Sequence, residues 1–162
     1  KATGNIGVGL VKGFGIKRGA IGTSIAHDSH NLVVVGASDQ DIYAVAKEIE
    51  RNQGGLAAAA GGVVLASMSL PIAGLLSQEP VEAVVAQIEK LEQAARDMGC
   101  AAPSPFSILS FLALFLCSTS FKISAGTLIS SLSNKFKPKT SSIITKVIIS
   151  VTINKLLIPS SK

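Results

Sequence analysis

The chain has 162 residues, enough for one domain with a buried core, and a formal net charge of +5. The charge is unevenly placed. Residues 1–97 carry 8 Lys/Arg against 10 Asp/Glu, a net of −2, and residues 98–162 carry 7 Lys and no acid, a net of +7. The basic character belongs to the C-terminal stretch and argues against a nucleic-acid-binding face on the first two-thirds.

The first predicted element is a strand. Ile6, Val8 and Leu10 alternate with Gly7 and Gly9, a period of two. A strand face made of glycine is expected to pack closely against a backbone, a helix or a ligand. Phe14 and Ile16 follow, Lys17-Arg18-Gly19 reads as a turn, and Ala20 to Ala26 reads as a second strand rich in small residues. His27-Asp28-Ser29-His30-Asn31 is then a loop. It holds both histidines of the chain. Leu32 to Gly36 is a continuous apolar run, as in a strand buried on both faces.

A helix is expected to begin after Ser38, a good N-cap, with Asp41 at the third helical position, where its charge meets the helix dipole. Ile42, Val45, Ala46 and Ile49 mark its buried face, and Asn52-Gln53-Gly54-Gly55 ends it. Leu56–Ala60 and Val63–Ala66 flank Gly61-Gly62, a pair suited to a tight hairpin, and the second strand is expected to continue to Pro71. Residues 71–77 form a connection. Pro80 suits the first turn of the next helix. Val81, Val84, Val85, Ile88, Leu91, Ala95 and Met98 make a stripe at helical spacing, expected to be core, and Gly99 is the stop.

Ala101 to Pro105 reads as a linker. Phe106–Cys117 is an apolar run of twelve residues, too short to span a bilayer and read as a buried strand or short core helix. From Ser118 the composition shifts to Ser, Thr, Lys, Ile and Leu without acids. Residues 1–117 are therefore expected to form the domain, and residues 118–162 a divergent basic tail outside it that need not be ordered. The expected class is α/β (α+β): a mixed β-sheet, two amphipathic covering helices and an unassigned C-terminal segment. Cys100 and Cys117 are too few for a disulfide framework and fit no zinc spacing; reduced, partly buried thiols are expected. Lys1 is followed by small residues, not by an apolar leader, so a processed or partial chain is expected.

Gly7-Val8-Gly9-Leu10-Val11-Lys12-Gly13 is one residue too long for the dinucleotide fingerprint and lies inside a strand pattern, and no Walker sequence is present. The candidate chemistry is concentrated in the His27–Asn31 loop. Two neutral imidazoles and a carboxylate can bind a transition metal, but such sites need three or four ligands, so none is assigned within this chain. A Ser-His-Asp triad is available by residue type, although triad members normally converge from distant positions. The competing reading is a polar turn whose Asp and Asn satisfy backbone N–H groups.

The string Ala2 to Gly15, with Lys17-Arg18-Gly19-Ala20 and Ala26 to Asn31, resembles the C-terminal part of the prokaryotic-type adenine deaminases. So do Leu70-Pro71-Ile72-Ala73-Gly74-Leu75, Glu79-Pro80, Pro103-Ser104-Pro105-Phe106 and Leu109 to Leu114. Order and spacing agree over roughly residues 1–114; after Leu114 the chain departs from the family pattern, which continues with a proline and acidic positions. The resemblance implies a metal-dependent amidohydrolase that hydrolyses adenine to hypoxanthine and ammonia by a metal-activated water. It implies a divalent transition metal, manganese or iron, with ligands mainly on an N-terminal barrel outside this chain, and a cytoplasmic protein of purine salvage. His27, Asp28 and His30 are then candidates for orienting substrate or relaying protons, with Ser29 and Asn31 as weaker adenine contacts. The expected partners are adenine, the amidohydrolase barrel and a second subunit in a homo-oligomer; neither nucleic acid nor membrane is expected. The alternative is a non-catalytic packing or oligomerisation domain.

Overall fold

The computed structural model describes residues 6–26, 31–117 and 144–150. In chain order the elements are β1 (Ile6–Lys12), β2 (Ala20–Thr23), β3 (Leu32–Gly36), α1 (Asp39–Arg51), β4 (Gly55–Ala60), β5 (Val63–Ser69), α2 (Val81–Asp97), α3 (Pro105–Cys117) and β6 (Ile144–Ser150). The strands form one sheet in the order β1-β6-β3-β2-β4-β5. The class is the expected α+β. Two details of the expectation change. Every pairing among the described residues is antiparallel, so the sheet is not mixed. A third helix, α3, joins the two expected.

Two cores sit on opposite faces of the sheet. On one face α1 packs Ile42, Val45 and Ile49 against Ala20, Val34, Ala57 and Ala59. On the other, Leu91, Ala95 and Met98 of α2 and Phe106 and Leu109 of α3 pack with Ile21, Val33, Val35, Leu56 and Ala58. The strand residues facing α1 are small for a reason. A Cβ on Gly22 would stand 2.5 Å from Val45 Cγ1 and 3.0 Å from Val34 Cγ2; one on Gly36 would stand 2.6 Å from Ala20 Cβ and 2.7 Å from Ile42 Cγ1. At these two positions the helix lies so close to the sheet that an added methyl group does not fit beneath it.

Strands β3 and β4 run parallel to each other on either side of β2, and α1 connects them, a split βαβ unit. Helix α1 starts as expected: Ser38 is extended at the N-cap and its hydroxyl accepts from the Asp41 N–H at 3.2 Å. Asp41 does more than meet the dipole. One oxygen accepts from the Ser38 hydroxyl at 2.6 Å and the other from the Gly62 N–H at 2.7 Å, which ties the β4–β5 turn to the helix. That turn has positive φ at Gly61 (63°) and Gly62 (76°), the geometry a two-residue hairpin needs. Helix α2 ends at Asp97, with Gly99 at φ 94° as the stop.

Three expectations are corrected. Among the described residues the glycine face of β1 packs against nothing near Gly9: a Cβ there would meet no atom within 4 Å, and β1 is an edge strand paired with β6. The α2 stripe is core only in part, since Val81 and Val85 are exposed while Val84 and Ile88 pack against the core. Residues 144–150, expected to trail outside the domain, form β6, which pairs with β1 on one side and β3 on the other. Antiparallel partners on both edges explain why this Ile- and Val-rich segment takes the strand form. The Phe106–Cys117 run lies in α3, a helix of 13 residues that begins at Pro105, and among the described residues no helix is long and apolar enough to cross a membrane.

Candidate functional site

The candidate loop lies at the tip of the β2–β3 hairpin. Thr23 pairs with Val33 and Leu56, and Leu56 pairs with Met68, so these residues form one row across four strands. Beyond that row lie Ser24, Ile25, Ala26, Asn31 and Leu32, the start of β4 at Gly55, and the end of β5 with the connection that follows it. Helix α2 also begins at this end. Its C-terminus is pinned at the opposite end, where the Lys17 N–H donates to Met98 O at 3.0 Å, and its 17 residues span about 25 Å. The ends of β2 and β3 that flank the loop in sequence and the Leu70–Leu75 string thus share one end of the domain.

Ser24 joins them. Its side chain is buried and its hydroxyl oxygen accepts from the Gly55 N–H at 2.7 Å while the hydroxyl donates to Gly74 O at 2.6 Å; Gly55 O lies farther, at 3.3 Å. The Ser24 N–H donates to Gly55 O at 2.9 Å, and Thr23 Oγ1 accepts from the Ile25 N–H at 3.0 Å. The 71–77 connection closes on itself as well. The Leu75 and Leu76 N–H groups both donate to Ile72 O, at 3.0 and 3.1 Å, and the Ile72 N–H returns to Leu76 O at 3.3 Å. Ala73 has φ 57°, a left-handed conformation uncommon outside glycine and asparagine, so the turn is held by its surroundings. Gly54 and Gly74 allow the approach: a Cβ on Gly54 would overlap Gly74 Cα and stand 3.0 Å from Leu70 O.

Of the sequence-predicted site residues, His27, Asp28, Ser29 and His30 lie outside the described residues. Asn31 is described, buried where the chain re-enters β3. Among the described residues no group of three His, Cys, Asp or Glu could hold a metal ion, so they offer no ligand set for the implied manganese or iron. Sequence reading missed Ser24. Its signal was a pair of hydroxyls, Thr23 and Ser24, between Ile21 and Ile25 in an otherwise small and apolar stretch, next to the polar loop.

Glu48 in the last turn of α1 and Cys100 after α2 are among the ionisable groups with shifted pKa values. Burial pushes the Glu48 carboxyl up, but hydrogen bonds from Arg51, Ser67 and Asn52 and the Arg51 charge outweigh it and hold the carboxyl below its ordinary value of 4.5. Arg51 Nη2 approaches Glu48 Oε1 at 2.7 Å and Asn52 Nδ2 donates to the same oxygen at 3.1 Å. Cys100 is buried as expected, and burial raises its thiol pKa despite a backbone hydrogen bond at Ala102.

The fold and the shared end define an α+β domain that seats a serine-pinned turn against the end of the β2–β3–β4 sheet. Residues 1–132 match the adenine deaminase C-terminal domain, and the chain belongs to that family. It is 54% identical over 112 residues to an adenine deaminase of Dehalococcoides mccartyi, covering 69% of this chain and 20% of the relative. It is 54% identical over 114 residues to that of Desulfatibacillum aliphaticivorans (70% and 20%) and 50% identical over 111 residues to that of Brucella abortus (68% and 19%). The chain thus spans about a fifth of the length of the curated relatives it matches.

Proposed function

We propose that this chain is the C-terminal domain of an adenine deaminase, an enzyme that hydrolyses adenine to hypoxanthine and ammonia in the cytoplasm. The carrying observation is identity of about a half, over most of the described domain, to proteins named adenine deaminase. The divalent transition metal of the parent enzyme, manganese or iron, takes its ligands mainly from the amidohydrolase barrel outside this chain. The role of this domain is to close the active-site mouth with the His27–Asn31 loop. His27, Asp28 and His30 orient adenine or relay a proton there, and Ser29 is a further substrate contact. Asn31, being buried, anchors the loop more readily than it reaches adenine.

The test exchanges the last fifth of the Desulfatibacillum aliphaticivorans enzyme for this chain and follows ammonia release from adenine. Activity is expected in the exchanged enzyme and none from residues 1–162 alone. His27→Ala or His30→Ala should lower kcat/KM on the order of 10²-fold, the lower range for a lost acid–base group. A second reading, a packing or oligomerisation domain without site residues, is favoured by the purely structural bonding of Ser24, Gly55 and Gly74. Unchanged kcat/KM with a lowered Tm in the histidine variants selects it.

A further inference from the structure

Helix α2 carries apolar residues at core spacing along its whole length, but not all of them face the core. Leu91, Ala95 and Met98 are buried and Val84 and Ile88 pack partly buried against them, whereas Val81 is 67% and Val85 49% exposed. The turn before it adds to the same apolar surface: Ile72 is 42% and Leu76 60% exposed. This turn is not a slack loop. It is tied by three backbone hydrogen bonds across Ile72–Leu76 and by Ser24 to Gly74 O. Residues 70–78 contain no charged side chain, and exposed Gln78, Glu79 and Glu82 lie beside them in sequence. Fixed aliphatic side chains with polar neighbours are the make-up of an interface, not of a solvated face, and together they present on the order of a few hundred Å².

We propose that Ile72, Leu76, Val81 and Val85 form the surface by which this domain docks onto the preceding four fifths of its own polypeptide. The inference rests on the adenine deaminase reading given above. The relatives are about five times as long as the matched stretch, and the family that matches is a C-terminal domain. In such a chain the rest of the polypeptide is covalently attached, at an effective concentration reaching millimolar. A second copy would have to compete with that tethered surface from solution.

The test is amide hydrogen exchange in two proteins: the Desulfatibacillum aliphaticivorans enzyme with its last fifth replaced by this chain, and residues 1–162 alone. The amides of Ile72, Leu75 and Leu76 are expected to exchange at least about tenfold more slowly in the joined enzyme. The double variant Leu76→Glu/Val85→Glu should return them to the rate of the isolated chain. In residues 1–162 alone the same variant should leave Tm nearly unchanged, as exposed substitutions do. Equal exchange in the joined and isolated wild-type proteins overturns the proposal. So does protection in the isolated chain that rises with its concentration, which makes a second copy the occupant. Deamination is read separately: activity without protection rejects the docking surface, and protection without activity rejects the deaminase reading while leaving the surface in place.

Discussion

Ser24→Ala removes one oxygen atom and leaves two buried backbone groups without their partner. The Gly55 N–H loses an acceptor at 2.7 Å, and Gly74 O loses a donor at 2.6 Å. Both glycines are buried. A methyl group fills nearly the same volume as the hydroxymethyl, so little cavity forms and the cost is that of unpaired polar groups. At about 1–3 kcal/mol for each buried group left unsatisfied, the variant should lose about 2–4 kcal/mol. For a chain of this size that corresponds to about 4–16 °C in Tm. The assay is urea unfolding followed by circular dichroism, with wild type and variant compared at constant m-value so that a shifted midpoint reports stability. Exchange of the Gly55 amide and of the 71–77 amides should speed up together, because one hydroxyl holds both segments. A loss below about 0.5 kcal/mol, the range of ordinary surface changes, refutes the reasoning. A full loss confined to Gly55, with the 71–77 amides unaffected, refutes the claim that Ser24 positions the turn.

Gly22→Ala should destabilise by about 1–3 kcal/mol, because the added methyl enters space held by Val45, Val34 and Ile49. Combined with Val45→Ala it should cost less than the sum of the two single changes, and additive values in a double-mutant cycle would contradict the close packing of α1. Glu48 has its folded pKa held down, so its contribution to stability is complete above its unfolded value near 4.5 and is lost as pH falls through the folded value. Glu48→Gln should therefore flatten the urea midpoint between about pH 5 and pH 3 relative to wild type; an identical pH profile would sink that account. The Cys100 thiol, buried and raised in pKa, should resist a thiol reagent in native protein and react once urea is added, read on its own peptide by mass spectrometry. Truncation after Cys117 removes β6 and should uncouple β1 from β3, seen as faster exchange along β1 and β3; unchanged exchange would mean that β6 does not bridge them.

Elements with local signals were legible in the sequence. Leu32–Gly36 showed its burial in an unbroken apolar run, Ser38 and Asp41 marked the start of α1, Gly61-Gly62 marked the hairpin, and Gly99 marked the end of α2. In each case the physical cause lies within four residues of the signal: a cap, a turn dihedral, a run. The glycines of β1 misled for the opposite reason. Alternation with Val8 and Leu10 reports a strand, but what faces a glycine depends on the sheet order, and that order places β1 at an edge. The α2 stripe reported a helix correctly and could not report that Val81 and Val85 stay exposed while Val84 and Ile88 reach the core.

The candidate site was half legible, and the division follows the same line. Its polar loop stands out because histidine and aspartate are conspicuous after a glycine-rich strand. What holds that end of the domain together does not stand out, because it is made by contacts of long sequence separation: Ser24 reaches across 31 residues to Gly55 and 50 to Gly74. A serine in a strand has no periodicity of its own, and a glycine whose missing Cβ makes room for a backbone 20 residues away, as at Gly54 and Gly74, reads as a flexible joint. In the fold these residues do the reverse and fix the turn. This changes the meaning of the two adjacent glycines ending α1. Gly54 and Gly55 are less a helix stop than the surface on which the 71–77 turn is seated, and a substitution at Gly54 acts on the candidate site rather than on the helix.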